Sequence, residues 1–228
     1  MTSYRVAAQQ DESLQSESRF RRELERLVDE FPRNRTCRKL DEGRFTMDDY
    51  HGFLRMTAHQ VASSSVTFEA AGRNMAQERA GLQSYLFGHA EEERDHWRWV
   101  LSDLESTGYG GPNPLDEFPP AACAGYVAWN HWCASKGPVW RLANASYLES
   151  LGAKYGKRYA QRICQILDLG PDQASFLFGH GDTDIGHSAE ILDHLSAADL
   201  TQREWDEAAH AVRVNAHLYF RMYEDMAR

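Results

Sequence analysis

The stretch Phe178-Gly179-His180-Gly181-Asp182-Thr183-Asp184-Ile185-Gly186-His187 carries three metal-capable side chains at helical spacing. Each helical residue turns about 100°, so positions i, i+4 and i+7 fall within about 60° of one another. Read as a helix, this stretch puts His180, Asp184 and His187 on one face. Two imidazoles and a carboxylate on one stripe suit a first-row transition metal such as iron or manganese. The plainer alternative is a polar stripe on a solvated helix. Gly179, Gly181 and Gly186 weaken a helix, and they are tolerable where helices pack closely around a site.

Outward from this stretch the chain reads as helix after helix. No segment alternates apolar and polar residues with β-branched enrichment. Phe20, Leu24, Leu27 and Val28 form an apolar stripe that predicts a helix from Ser16 to Phe31, stopped by Pro32. Thr46 reads as an N-cap, with Asp48 and Asp49 in the first turn of a helix running to Asn74. A third helix is expected over Gln77 to Ser106. The loop from Gly108 to Pro120 is rich in breakers. Helices then fit Ala121 to Ser135, Pro138 to Leu151, Lys157 to Leu169, Asp172 to Leu195 and Thr201 to Met226. The expectation is an all-α, single-domain bundle of seven or eight helices over residues 1–228, with residues 1–15 as a flexible tail.

Composition narrows the function. Of 228 residues, 42% are apolar and 26% charged, which supports a buried core and argues against disorder. Acids outnumber bases by 34 to 25, a poor match to a phosphate backbone, so no nucleic-acid partner is expected. No apolar run approaches the ~20 residues of a membrane helix, and the N-terminus lacks the apolar region of a secretory signal. Cys37, Cys123, Cys133 and Cys164 are scattered and form no C-x-x-C pair, which fits reduced thiols and a cytoplasmic location.

Two further clusters carry chemistry. In His89-Ala90-Glu91-Glu92-Glu93-Arg94-Asp95-His96, Glu93 and His96 have the E-x-x-H spacing by which helical bundles offer a carboxylate and an imidazole to one metal. Here too, a solvated acidic face is the common alternative. His89 and Glu92 fall near the same face. Glu149 is the sole acid between Glu117 and Asp168, amid Leu142, Ser146, Leu148 and Leu151. Burying an acid there is costly unless something pairs with it; the alternative is an exposed position. Together the clusters put three carboxylates and three histidines on three helices, an inventory that matches a dinuclear site. Arg55, Arg73, Arg141 and Lys154 can hold a substrate carboxylate, or serve as surface cations.

These residues resemble the haem-oxygenase-like diiron oxidases and oxygenases. The resemblance runs from about Phe45 to Leu195. It rests on Phe53 to Val61, the His89 to His96 cluster, Ala124-Gly125-Tyr126-Val127-Ala128, Glu149 and the Ser175 to His187 segment. It implies two iron ions, with O2 as co-substrate: Glu93, His96 and His187 on one iron, Glu149, His180 and Asp184 on the other. Some relatives carry a Glu where this chain has His89; Glu92 is a substitute, and Glu69 the candidate from the preceding helix. The resemblance further implies oxidation of a small amine or amino acid in specialised-metabolite biosynthesis, with a fatty-acid oxidase or decarboxylase as the alternative. An electron donor and a homodimer are also implied as partners.

Other enzymes of this fold fit less well. Thiamine-degrading hydrolases use a cysteine on the helix that carries Glu149, and Cys133 and Cys164 lie off it. Haem oxygenase needs a histidine near the start of its first helix, and this chain has none before His51. A metal-free helical ligand-binding or interaction module is the rival from a different class.

Overall fold

The computed structural model describes the backbone of residues 2–226 and the side chains of residues 12–181, 183–184 and 186–226. All regular structure in it is helical: α1 (Thr2–Glu30), α2 (Arg35–Asp41), α3 (Met47–Asn74), α4 (Ala80–Glu92), α5 (Trp97–Ser106), α6 (Ala121–Lys136), α7 (Pro138–Leu151), α8 (Lys157–Leu167), α9 (Ser175–Ser196) and α10 (Gln202–Met226). The pairs α4/α5 and α7/α8 are each nearly continuous, and α2 is a short helix that the sequence reading did not expect. Among the described residues no helix is long and apolar enough to cross a membrane.

Two helices differ in extent from the sequence expectation. Met1 lies outside the described residues, but the rest of the expected tail is helical. Ser13 ties it down by donating to the Leu200 carbonyl at 2.6 Å. The expected helix over Gln77 to Ser106 is also not continuous. It opens with a 3-10 turn at Gln77–Arg79 and is broken by another at Glu93–Asp95.

The apolar stripes explain the packing. Phe20, Leu24 and Val28 of α1 share a core with Trp205, Ala208 and Val212 of α10. The Phe20 and Trp205 rings lie 5.4 Å apart. α3 packs against α4, α5 and α6, while α7 runs between α9 and α10. Thr46 caps α3 as the sequence predicts: the Asp49 amide donates to Thr46 Oγ1 at 3.3 Å, and the Thr46 amide donates back to Asp49 Oδ2 at 2.8 Å.

α9 is held at its N-terminus by a carboxylate from another helix. Asp103 of α5 is fully buried and accepts from the Ser175 amide at 3.0 Å, the Phe176 amide at 3.0 Å and Ser175 Oγ at 2.6 Å. Those amides are otherwise orphaned at a helix start, where a negative charge also meets the positive end of the dipole. Asp103→Ala should lower stability by about 2–3 kcal/mol, since charge-assisted bonds are lost and buried donors stranded. The urea midpoint measures this, and an unchanged midpoint would remove Asp103 from the account.

Candidate metal centre

Four elements converge on one buried cluster. α4 supplies His89 from its last turn. The 3-10 turn after it supplies Glu93, and His96 follows directly. α7 supplies Glu149, and α9 supplies His180, Asp184 and His187. Their donor atoms form two groups, each with all atoms within 4.8 Å: His89, Glu93, Glu149 and His187 in the first, and Glu93, His96 and His180 in the second. Glu93 belongs to both.

The 3-10 turn explains the division. On a straight helix His89 and His96, seven residues apart, would share a face. Three residues at about 120° each, instead of 100°, swing His96 away. His89 then faces His187, with rings 4.8 Å apart, and His96 faces His180, also at 4.8 Å. This arrangement differs from the grouping implied by the resemblance. His187 sits with Glu149 and His89 rather than with His96, and His180 sits with His96. His89 stands inside the first group, 2% exposed. Its spacing of i−4 from Glu93 was the signal in the sequence.

The other candidates lie further out. Glu92 is 60% exposed at the rim, 3.3 Å from His187 Nε2. Glu69 pairs with Arg73 at 2.6 Å on the surface, away from both groups. Asp184 is buried 3.8 Å from His180 Nδ1 and lies outside the two groups. Gly152 makes room for it, since a Cβ there would overlap the Asp184 carboxylate. Gly152 opens the π-helical segment Gly152–Gly156 that joins α7 to α8, an irregularity common at functional sites. Gly179 and Gly181 do serve close packing, against Trp99 and the Lys157 backbone, but Gly186 faces open space.

The donor atoms fit a cation. His89 Nδ1 and Nε2, His96 Nδ1, His187 Nδ1 and Glu149 Oε2 are all buried without a hydrogen-bond partner. Glu149 approaches His89 and His187 at 3.5 Å each, and Glu93 approaches His96 at 3.1 Å, but these contacts are not aligned as hydrogen bonds. Each unmet buried polar atom costs about 1–3 kcal/mol. One nitrogen from each of the three rings and the Glu149 oxygen are atoms that a metal would satisfy. Nitrogen and carboxylate donors with no thiolate suit iron or manganese.

The charges are shared unevenly. Burial opposes ionisation of Glu149, but His187 and His89 outweigh it and hold the carboxyl below its usual range. Burial likewise opposes ionisation of Glu93, which His96 and His180 keep low. Asp184 goes the other way: burial, then the Glu149 charge, push its carboxyl up to about 10. Glu149 raises His187, while burial lowers His180.

A pH effect follows for the metal-free protein. Asp184 binds its proton more tightly folded than unfolded, so its contribution falls as pH rises from its ordinary value of 3.8 through about 10. His187, with its raised value, stabilises fully below its ordinary 6.5 and less as pH climbs through the folded value. Thermal denaturation in chelator should therefore show a Tm that falls between about pH 6 and pH 9. Asp184→Asn should remove most of that slope; an equally steep slope in the variant would contradict the assignment.

Beside the cluster lies a cavity of about 110 Å³, lined by Glu93, Glu149, His180 and Asp184 on one side. Thr57, Gln60, Ser64 and Thr67 of α3 line another, with Tyr126, Asn130 and Arg141 nearby. The sequence reading missed the α3 residues. Their signal was a polar stripe at i, i+3, i+7 and i+10 on an otherwise largely apolar helix.

No family model matches the chain, and no curated protein does. Solved structures do. A domain of unknown function with a heme oxygenase-like fold from Shewanella denitrificans shares 23% identity at a TM-score of 0.84, covering 92% of this chain and 90% of that one. A TenA homologue from P. horikoshii follows at 9% identity and TM-score 0.75, covering 92% and 97%. Heme oxygenase-1 from the cyanobacterium Synechocystis, solved with heme, gives 12% and 0.69, covering 92% and 91%. At these identities the likeness concerns architecture, and it is consistent across all three: the chain is a single all-α domain with a haem-oxygenase-like fold.

Proposed function

We propose that the protein is a non-haem diiron enzyme that uses O2 to oxidise a small amino acid or amine. The observation that carries this reading is the sharing of buried Glu93 between two adjacent sets of metal-capable side chains. A bridging carboxylate between histidine-containing groups is the arrangement two metal ions need. Two Fe(II) ions, when bound, supply electrons to O2 and oxidising power to a substrate in the adjoining cavity. His89, Glu149 and His187 would hold one ion, His96 and His180 the other, with Glu93 between them. Asp184, packed against Glu149, would orient that carboxylate.

The cavity supports the amino acid or amine over the fatty acid. An engineered cavity of ~150 Å³ admits benzene, so a space of about 110 Å³ suits a molecule of few heavy atoms. Hydroxyl and amide groups on α3 give a nitrogenous substrate polar partners there, between apolar walls from Phe53, Val61, Leu148 and Phe176. O2 takes four electrons on full reduction to water. A two-electron oxidation of the substrate leaves two to come from a donor protein or small reductant, or from a second oxidation of the same substrate.

The reading is tested by O2 uptake. Fe(II)-loaded protein is mixed with O2 and a panel of amino acids, amines and fatty acids. One of the small nitrogenous compounds should accelerate uptake, and His187→Ala and Glu149→Ala should abolish the acceleration. Uptake that no compound changes, or that survives both substitutions, would overturn it.

A further inference from the structure

Arg141 is a cation buried in the wall of the cavity beside the candidate metal centre. It sits on α7 about two turns before Glu149 and is 4% exposed. Its orientation is fixed twice. Nε donates to Thr67 Oγ1 at 2.9 Å, and the guanidinium lies over the Phe68 ring, 3.7 Å from the centroid. Among the described residues the Thr67 bond is its one hydrogen bond, and no carboxylate comes within ion-pair distance. The terminal nitrogens, with four N–H donors, are left for the cavity that Arg141 lines.

The other cations considered in the sequence spend their charge elsewhere. Arg55 pairs with Glu117 at 2.8 Å, Arg73 with Glu69 at 2.6 Å and Lys154 with Asp29, all at the surface. Glu93 and Glu149 act on the buried guanidinium only from beyond ion-pair distance, and a planar fork matches a carboxylate in two parallel hydrogen bonds. The same cavity presents two further unpartnered buried atoms, Thr57 Oγ1 and Gln60 Oε1. An acceptor such as Gln60 Oε1 is suited to an ammonium group. The cavity therefore brings together the Arg141 cation, polar side chains of α3 and the acids Glu93, Glu149 and Asp184.

We propose that Arg141 anchors the substrate by its carboxylate, so that the substrate class is a small amino acid rather than a simple amine. This deepens the reading above and rests on it for the identity of the cavity as a substrate site. Bound in this way, the ligand neutralises the buried guanidinium and directs its far end toward Glu149 and Glu93. The side chain acts by binding and orientation.

The test is a titration of 15N-labelled protein, metal-free and Zn(II)-loaded, followed at the Arg141 Nε–Hε signal. That signal is identified by its loss in Arg141→Lys. L-Alanine and propionate should shift it in a saturable way, and the matched L-alaninamide and propionamide should not. By calorimetry, Arg141→Lys should weaken L-alanine binding about tenfold or more, while Arg73→Gln should leave it unchanged. Carboxylates that leave the signal unmoved in both forms, or move it no more than the amides, would overturn the anchor even if the variant proves unstable. A purely structural Arg141 gives that result. Zn(II) stoichiometry, read in the same samples, keeps the two readings apart. Metal uptake without a carboxylate shift sinks the anchor alone. A carboxylate shift without metal uptake sinks the dinuclear centre alone.

Discussion

Glu93→Ala should cost the protein both metal ions, whereas His180→Ala should cost it one. The asymmetry follows from the geometry. Among the described residues, Glu93 is the one whose carboxylate belongs to both donor groups. Without it the second group is two imidazoles, His96 and His180, and the carboxyl beside His180, Asp184, is one that burial and the Glu149 charge keep protonated. The first group keeps Glu149 but loses a quarter of its donors. Glu93→Gln, which preserves shape, should behave in the same way, because the amide brings no negative charge. Neither variant should unfold the metal-free protein: a buried acid that is only partly compensated is no asset to stability. Metal content by atomic emission after Fe(II) loading and desalting checks this. If Glu93→Ala retains two ions per chain, the shared carboxylate is not what holds them.

Gly181→Ala should destabilise the fold by about 1–3 kcal/mol, the range for overpacking a close contact. A Cβ there would lie 2.9 Å from the Lys157 amide nitrogen and 3.4 Å from the Gly156 carbonyl carbon. Both are backbone atoms and cannot rotate aside. Gly156 meets Gly181 from the other side, its own Cβ position being 3.2 Å from the Gly181 Cα. The two glycines let α9 lie directly on the turn between α7 and α8. Forcing them apart moves His180 and Asp184 relative to Glu149, so metal retention should fall together with the urea midpoint. Gly186→Ala is the informative contrast. Nothing lies within 4 Å of its Cβ position, so the exchange should stabilise the helix by about 0.5–1 kcal/mol. Equal effects at the two positions would show that helix propensity, rather than the close approach, governs this segment.

Helix existence was legible in the sequence because apolar spacing and capping chemistry are local. Thr46 and Asp49 announce the start of α3 through side chains that reach their own backbone, and Pro138 opens α7 where its missing N–H does no harm. The breaks were less legible. Asp95 alone in Glu93-Arg94-Asp95 is a weak helix former, too slight a signal to place the 3-10 turn that lets His89 and His96 face different partners. The same limit explains the pairing of the histidines. Spacing along α9 put His180, Asp184 and His187 on one stripe, but which of them meets which residue of α4 or α5 depends on how the helices cross. Arg141 illustrates the point from the other side. Four cations looked equivalent in the sequence, and only packing against Phe68 and Thr67 sets one of them apart.

The central claim is that two ions share one buried, carboxylate-linked site. Anaerobic titration with Fe(II), followed by Mössbauer spectroscopy before and after exposure to O2, tests it most directly. The account predicts a break at two Fe(II) per chain, oxidation of both ions by O2, and loss of stoichiometric uptake in Glu93→Ala. No stoichiometric uptake, or iron that binds as well without Glu93 and His187, would contradict it and leave the histidine and acid stripes of these helices without a metal to explain them.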